Sequence, residues 1–253
     1  MAHEAEQSSG ADGRARARIE AAMDDRRRSF LRMVSHELRT PLNSILGFSE
    51  ILTSELYGPL GAPQYKEYAE IIHGSGQKLL KLVNQVLEIA RLEGNTIEFD
   101  ACPESLEAAL DDVLLTLKPE LAQRGVSVAI ENRGDLPAVT ADGRGLRSML
   151  TQLIHNAIVF SPEGGEVTVS AERHGENVDI VIQDRGEGVD PDELARLMAP
   201  FEQGENALTR KAEGAGLGLP IAHLTCLAMG GRLKLTSVPG RGVTATAGLP
   251  AAR

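Results

Sequence analysis

A histidine followed directly by a glutamate stands in the stretch Ser35–Pro41, which reads SHELRTP. A neutral imidazole is a good nucleophile near pH 7, and the Glu37 carboxylate can accept the other ring proton of His36, which fixes the tautomer. Thr40 follows one helical turn later on the same face. The stretch makes His36 a candidate phosphoryl acceptor, a role that needs a nucleotide pocket elsewhere in the chain.

Two polar segments in the second half of the chain could form part of such a pocket. Asn156 lies on the polar side of a predicted helix, and Asp184 follows a strand with a buried-type pattern. A carboxylate that accepts a hydrogen bond from the exocyclic amine of a base contributes about 1.5–3 kcal/mol. Gly186 and Gly188 would let the backbone approach a flat base. These residues predict a base-binding site.

A third segment, Gly214–Leu219, is rich in glycine and opens the next predicted helix. Glycine-rich turns at helix N-termini present free N–H groups to phosphate. The preceding stretch, Pro200–Glu213, is long enough to act as a lid. The candidate phosphate-binding residues of the two stretches are Arg210, Lys211, Gly214, Gly216, Leu217 and Gly218.

Each of these segments alone has an ordinary structural explanation. A single Asp-x-Gly-x-Gly is more typical of a turn, and a single Asn is more typical of a polar surface. The Gly-x-Gly-Leu-Gly stretch also lacks the spacing and strand context of a dinucleotide-binding fingerprint. The prediction of a nucleotide pocket therefore rests on their combination.

Two heptad-patterned helices must position His36. At 100° per residue the histidine points away from the first apolar stripe, so it should face solvent. Pro41 lacks a backbone donor and predicts a kink below it. A breaker at Tyr57–Pro63 separates the helices, and a hairpin of this kind should pair with a second copy in a four-helix bundle. The heptad residues are Leu31, Leu38, Ile45 and Leu52, then Tyr65, Ile72, Leu79 and Val86.

Mixed helix and strand patterns follow the hairpin and predict an α+β sandwich, with one sheet covered by helices on one face. Asp142 is a candidate cap for the helix that carries Asn156. The predicted strands are Ile97–Phe99, Val126–Ile130, Ala138–Thr140, Glu166–Glu172, Val178–Ile182, Arg232–Ser237 and Gly242–Ala247. The predicted helices are Glu104–Leu121, Asp142–Phe160, Asp190–Met198 and Leu219–Met229.

Length and charge limit the classes of function. The 253 residues are enough for two modest domains, and we expect a polar, partly disordered arm at 1–24, a helical domain at 25–94 and a nucleotide-binding domain at 95–253. A net charge of −10 disfavours nucleic-acid binding. No apolar run reaches the roughly 18 residues of a membrane span, so we expect a cytoplasmic protein without membrane contact.

Taken in order, five motifs resemble those of the sensor histidine kinases of two-component signalling. That family has a dimerisation and phosphoacceptor domain followed by a Bergerat-type ATP-binding domain. The resemblance covers about residues 25 to 250, and the stretch Phe201–Gly214 looks like kinases of alphaproteobacterial cell-cycle and developmental circuits. The motifs are Ser35–Pro41, Asn156–Ala157, Asp184–Gly188, Pro200–Gln203 and Gly214–Leu219.

The resemblance implies a homodimer in which His36 attacks the γ-phosphate of ATP and passes the phosphoryl group to an aspartate of a response regulator receiver domain. It implies that Glu37 assists the histidine and that Thr40 holds a water for the reverse task, dephosphorylation of the regulator. Asn156 and Gln152 would bind Mg²⁺, and Asp184, the glycines and Lys211 would bind ATP.

Two residues depart from the family's usual pattern. Gln152 stands where an asparagine is common, and Val159 stands where a lysine or arginine is common. Loss of a cation should weaken phosphate binding, so we expect low kinase activity or a bias towards phosphatase action. A catalytically weak or inactive dimeric scaffold remains the alternative.

Overall fold

The computed structural model describes residues 31, 33–94, 97–200, 202 and 215–252. The chain divides into two compact units, with the boundary between residues 96 and 97. A helical hairpin forms the first unit and an α/β sheet domain forms the second, which confirms the predicted order of architectures. Among the described helices, none has both the length and the apolar content that crossing a bilayer requires.

The hairpin consists of α1, over residues 33–53, and α2, Pro63–Glu93. The chain reverses through residues with positive φ, namely Glu55 at 51°, Gly58 at 112° and Gly61 at 80°. Pro63 can open α2 because the first turn of a helix needs no donor at that position. The predicted breaker therefore falls in the connection, and α1 ends before it.

A close approach and a polar cluster join the two helices. A Cβ added at Gly76 would lie 3.0 Å from a methyl group of Leu46, so the glycine gives α1 room to pack. Nearby, the hydroxyl of Ser49 contacts His73 Nδ1 at 3.1 Å and donates to the Leu46 carbonyl at 2.9 Å. Gln77 contacts the other ring nitrogen of His73 at 2.9 Å.

Seven of the eight heptad residues of the hairpin are exposed in a single chain, and only Leu31 among them is buried. Leu38, Ile45 and Leu52 are 44–48% exposed on α1, and Ile72 and Leu79 are 49% and 50% exposed on α2. The residues of α1 with little exposure include Leu42 and Ser49 instead. The hairpin thus leaves an apolar face without a partner from the described chain.

The second unit contains seven strands and five helices in its described part. The elements are β1 Cys102–Glu104, α3 Leu106–Thr116, α4 Lys118–Arg124, β2 Ser127–Ile130, β3 Val139–Ala141, α5 Gly143–Phe160, β4 Glu166–His174, β5 Asn177–Gln183, α6 Pro191–Leu197, α7 Gly218–Ala228, β6 Arg232–Ser237 and β7 Val243–Pro250. Five strands form one sheet in the order β2-β4-β5-β7-β6, where β2 is parallel to β4 and all other pairs are antiparallel. Strands β1 and β3 form a separate antiparallel pair.

One core lies between the sheet and the helices. Buried and partly exposed residues alternate along β4 and β5, so one face of the sheet is covered. The side chains of α5 complete this core from the helical side, including Leu146, Leu150 and Ile154, which are fully buried. The predicted sandwich is therefore present.

Two predicted elements were wrong. Residues 97–99 form no strand, because Phe99 packs against the core beside Gly145 rather than pairing with another strand. The predicted helix Glu104–Leu121 is two helices, α3 and α4, that meet at Leu117. Pro119 lacks the N–H that a continuous helix would need at that position, and it sits instead in the first turn of α4.

Candidate functional site

Helix α5 carries Gln152 and Asn156, two side chains of the candidate pocket, and Asp142 caps its start. One carboxylate oxygen of Asp142 accepts hydrogen bonds from the backbone N–H groups of Arg144 and Gly145, at 3.0 and 2.8 Å. Burial acts to raise the pKa of Asp142, but the backbone donors Gly145, Asp100 and Arg144 outweigh it and lower the pKa overall. The predicted cap is confirmed.

Gln152 and Asn156 lie one turn apart on α5 and converge on the start of α7. A Cβ added at Gly218 would lie 2.9 Å from Gln152 Oε1 and 3.4 Å from Asn156 Oδ1. Gly218 thus lets the glycine-rich segment approach both amides. Before it, Gly216 has a φ of +68°, which favours glycine, and Leu217 is 1% exposed.

Asp184 is buried at the end of β5 and is held by backbone donors. Its Oδ1 accepts from Gly186 N at 2.8 Å and its Oδ2 accepts from Val243 N at 3.2 Å. Burial raises the pKa of this carboxyl, and the backbone donors offset only part of the effect. A buried carboxylate aimed by two fixed donors has little rotational freedom, which suits specific recognition of a base.

The Asp184 loop packs tightly on its neighbours. A Cβ at Gly186 would collide with the Phe160 carbonyl at the end of α5, and Gly188 has a φ of +66°. Gly242 also has a positive φ, +83°, and a Cβ there would collide with the Asp184 carbonyl. Both candidate segments therefore contact helix α5, one through Gly186 and the other through Gly218.

Gly242 and Val243 contact Asp184, and the sequence did not predict these contacts. The Pro239–Val243 stretch signals a hairpin turn, and that turn exists between β6 and β7. No local pattern says that the turn packs on Asp184, because the contact depends on β5 and β7 being neighbours in the sheet. Phe160, at 46% exposure beside this loop, was likewise not recognised.

The phosphoacceptor candidates lie in the other unit, on α1. His36, Glu37 and Thr40 are all exposed, as the sequence predicts for His36. The Thr40 hydroxyl donates to the His36 carbonyl at 3.0 Å, and α1 continues without interruption through Pro41. A kink at Pro41 remains a prediction.

The structure brings together only part of the predicted ATP site. Gln152, Asn156 and Gly218 form one group. Asp184 and Gly186, after β5, form a second group that packs against the end of α5. The predicted phosphate contacts Arg210, Lys211 and Gly214 lie outside the described residues.

Comparison with known families gives two matches along the chain. Residues 26–95 match the His Kinase A (phospho-acceptor) domain. Residues 141–253 match the family of histidine kinase-, DNA gyrase B- and HSP90-like ATPases. The two matches follow each other in the order of the hairpin and the sheet domain.

Individual relatives are similar over most of this chain. The histidine protein kinase DivJ of Caulobacter vibrioides is 40% identical over 244 residues, which are 92% of this chain and 39% of that protein. The cell-division control histidine kinase PdhS of Brucella suis is 32% identical over 234 residues, which are 88% of this chain and 22% of that protein. The chain thus spans less than half the length of these relatives.

A solved structure shares the fold. The crystal structure of full-length ShkA in complex with AMPPNP has a TM-score of 0.74 and 34% sequence identity, and the match covers 88% of this chain and 45% of that one. The histidine kinase AdeS of Acinetobacter baumannii, at 21% identity and a TM-score of 0.58, shows the fold alone.

Proposed function

Since the chain belongs to the histidine kinases, with a HisKA region followed by a HATPase_c region, we propose that it phosphorylates its own His36 from ATP. The phosphoryl group then moves to an aspartate of a response regulator. The observation that carries the proposal is that the amides of Gln152 and Asn156, on α5, meet Gly218 at the start of α7. The end of α5 also contacts the Asp184 loop at Gly186.

The pocket residues suit the parts of ATP. Asp184 would accept a hydrogen bond from the adenine amine. Gly186 and Gly188 let the loop that carries Asp184 pack against α5 and the β6–β7 turn, which would hold the loop in place beside the base. Gly216, Leu217 and Gly218 would offer backbone N–H groups to the phosphates at the start of α7. Lys211 and Gly214 are proposed to add contacts from the preceding segment.

The amide oxygens of Gln152 and Asn156 fit Mg²⁺. Both side-chain amides lie against the same Gly218 position, and Mg²⁺ prefers oxygen ligands shared with substrate phosphates. A bound Mg²⁺ would neutralise phosphate charge during transfer. The longer Gln152 side chain can still supply an oxygen, but with a different reach from that of the asparagine common in the family.

At His36 the chemistry is an in-line displacement. A ring nitrogen forms a bond to the γ-phosphorus, the bond between that phosphorus and the bridging oxygen breaks, and ADP leaves. Glu37 would accept the proton of the other ring nitrogen. Exposure of His36 on α1 suits both the approach of ATP and the later approach of a receiver domain.

A homodimer formed through the hairpin is part of the proposal. The exposed heptad stripes of α1 and α2 are apolar, and a second copy would cover them in a four-helix bundle. The donor is ATP, so we place this activity in the cytoplasm.

Labelling tests the function. The chain is incubated with γ-labelled ATP and Mg²⁺, alongside the His36→Ala and Asp184→Asn variants. We expect acid-labile, base-stable label in the wild type, none in His36→Ala and much less in Asp184→Asn. A wild type that binds ATP but takes up no label would contradict the kinase and favour a scaffold.

A weak kinase with a phosphatase bias is the second candidate, and Val159 favours it. Val159 lies on the last turn of α5, and its carbonyl accepts from Arg124 at 2.9 Å, but its side chain offers no charge to a phosphate. Thr40, the proposed phosphatase residue, is exposed beside His36.

A substitution at Val159 tests whether the missing cation limits autophosphorylation. Val159→Lys should raise the rate of autophosphorylation about tenfold, because a charge-assisted bond to phosphate contributes about 1.5 kcal/mol or more. Val159→Leu, which changes shape without adding charge, should leave the rate near that of the wild type. An unchanged rate in Val159→Lys removes the support for a missing cation.

A further inference from the structure

Arg39 is held beside the phosphoacceptor by a residue of the opposite helix. Its Nη2 donates to the side-chain oxygen of Asn84 on α2 at 2.9 Å. A guanidinium can only donate, so the amide of Asn84 must present its oxygen. This hydrogen bond crosses the hairpin and joins two exposed side chains.

Helix geometry places Arg39 next to His36. Residues three apart on an α-helix are surface neighbours, with about 5–6 Å between their Cβ atoms. The guanidinium group can therefore reach the same side of α1 as the imidazole. Arg39 is the only lysine or arginine between residues 33 and 53, and Glu37 adds a negative charge directly beside the histidine. Arg32, four positions before His36, lies outside the described residues.

The neutral partner leaves the charge of Arg39 intact. Within residues 33–94 and the rest of the described chain, no carboxylate pairs with this guanidinium. An aspartate at position 84 would orient Arg39 equally well but would cancel its charge. The amide uses one of five N–H donors, and the others remain for a phosphoryl group.

We infer that Arg39 binds the phosphoryl group on His36 and that Asn84 is the positioning residue that aims it without neutralising it. The inference rests on the proposed phosphorylation of His36. Its consequence is thermodynamic, because a cation that contacts phosphohistidine stabilises the phosphorylated chain relative to the free one.

The test measures the ratio of phosphorylated to unphosphorylated His36 at equilibrium, at one fixed ratio of ATP to ADP with Mg²⁺. The chains are wild type, Arg39→Gln, Arg39→Lys, Asn84→Asp and Asn84→Ala. Lys66→Gln is the charge-matched control, since Lys66 pairs with Glu55 at the hairpin loop. A purely structural role would slow the approach to equilibrium without moving this ratio.

We expect Arg39→Gln and Asn84→Asp each to lower the ratio about threefold or more, in line with charge-assisted bonds near the surface. The ratio for Asn84→Ala should lie between these low values and the wild-type ratio. Arg39→Lys should retain most of the wild-type ratio, and Lys66→Gln should have the same ratio as the wild type. Arg39→Gln combined with Asn84→Asp should be no lower than Arg39→Gln alone.

Asn84→Asp with a wild-type ratio would overturn the inference while leaving the kinase function in place. An Arg39→Gln ratio equal to that of the wild type would do the same. A wild type without any phosphohistidine would overturn both, because Arg39 would then have no phosphoryl group to bind.

Discussion

At the scale of single residues, the pocket depends on glycines that leave room for backbone. Gly242 and Gly240 both have positive φ, +83° and +79°, but only a Cβ at Gly242 would meet the Asp184 carbonyl. The two positions therefore separate conformational strain from steric collision. A left-handed conformation alone costs a non-glycine residue about 1–2 kcal/mol.

We predict that Gly242→Ala abolishes detectable ATP binding, because the Asp184 carboxylate must move. Gly240→Ala should keep ATP affinity near that of the wild type and lose only about 1–2 kcal/mol of unfolding free energy. Titration calorimetry with ATP and chemical denaturation measure the two quantities. Equal ATP affinity in both variants would contradict the placement of Gly242.

The pKa shifts of two aspartates predict opposite pH dependences. The pKa of Asp184 is raised, so its contribution to stability is fully present below the ordinary aspartate pKa and is lost as pH rises through the raised value. The pKa of Asp142 is lowered, so its contribution is present above the ordinary pKa and is lost as pH falls through the lowered value.

Chemical denaturation across acidic and neutral pH tests these signs. The unfolding free energy of wild type minus that of Asp184→Asn should increase as pH falls. The corresponding difference for Asp142→Asn should decrease as pH falls. If both differences changed with pH in the same direction, burial would not be the dominant cause of the raised pKa of Asp184.

At the scale of elements, local signals gave the helices and strands whose ends are marked by caps and turns. The Asp142 cap and the end of α5 at Phe160 are examples, and the β4–β5 turn at Gly175 is another. The misses need tertiary information. Ile97 and Phe99 show a strand-like alternation, but Phe99 is apolar because it packs against the core. Strand β1 forms by pairing with β3, which lies far from it in the sequence.

Two glycines of α2 test the packing of the hairpin. Gly74→Ala should raise the unfolding free energy by about 1 kcal/mol, since nothing lies within 4 Å of its added Cβ and alanine favours a helix. Gly76→Ala should raise the unfolding free energy less, or lower it, because its added Cβ would lie 3.0 Å from a methyl group of Leu46. Thermal unfolding of both variants measures the difference, and equal gains would contradict the close approach.

At the scale of the whole molecule, the exposed heptad stripes predict a dimer. Ile45→Glu combined with Ile72→Glu should convert dimers to monomers, because two charges would enter an apolar interface. Leu115→Glu is the matched control, since Leu115 is 73% exposed on α3 of the other unit. Light scattering that finds a monomeric wild type would contradict the predicted bundle.

The sequence predicts those parts of the site that depend on local motifs, but not those that depend on contacts between distant segments. The sequence motifs name His36, Asn156 and Asp184, because their chemistry is carried by residue type and local pattern. The role of the β6–β7 turn and the Arg39–Asn84 bond could not be read in advance. Each joins segments far apart in the chain, and only the folded sheet and hairpin bring them together.

Locating the phosphoryl group on the chain tests whether His36 is the phosphoacceptor. The full chain is phosphorylated with ATP and Mg²⁺, digested at alkaline pH to preserve phosphohistidine, and mapped by mass spectrometry. We predict one phosphoryl group, acid-labile and base-stable, on the peptide that contains His36. A phosphoryl group on another residue, or an acid-stable one, would contradict the phosphorylation of His36.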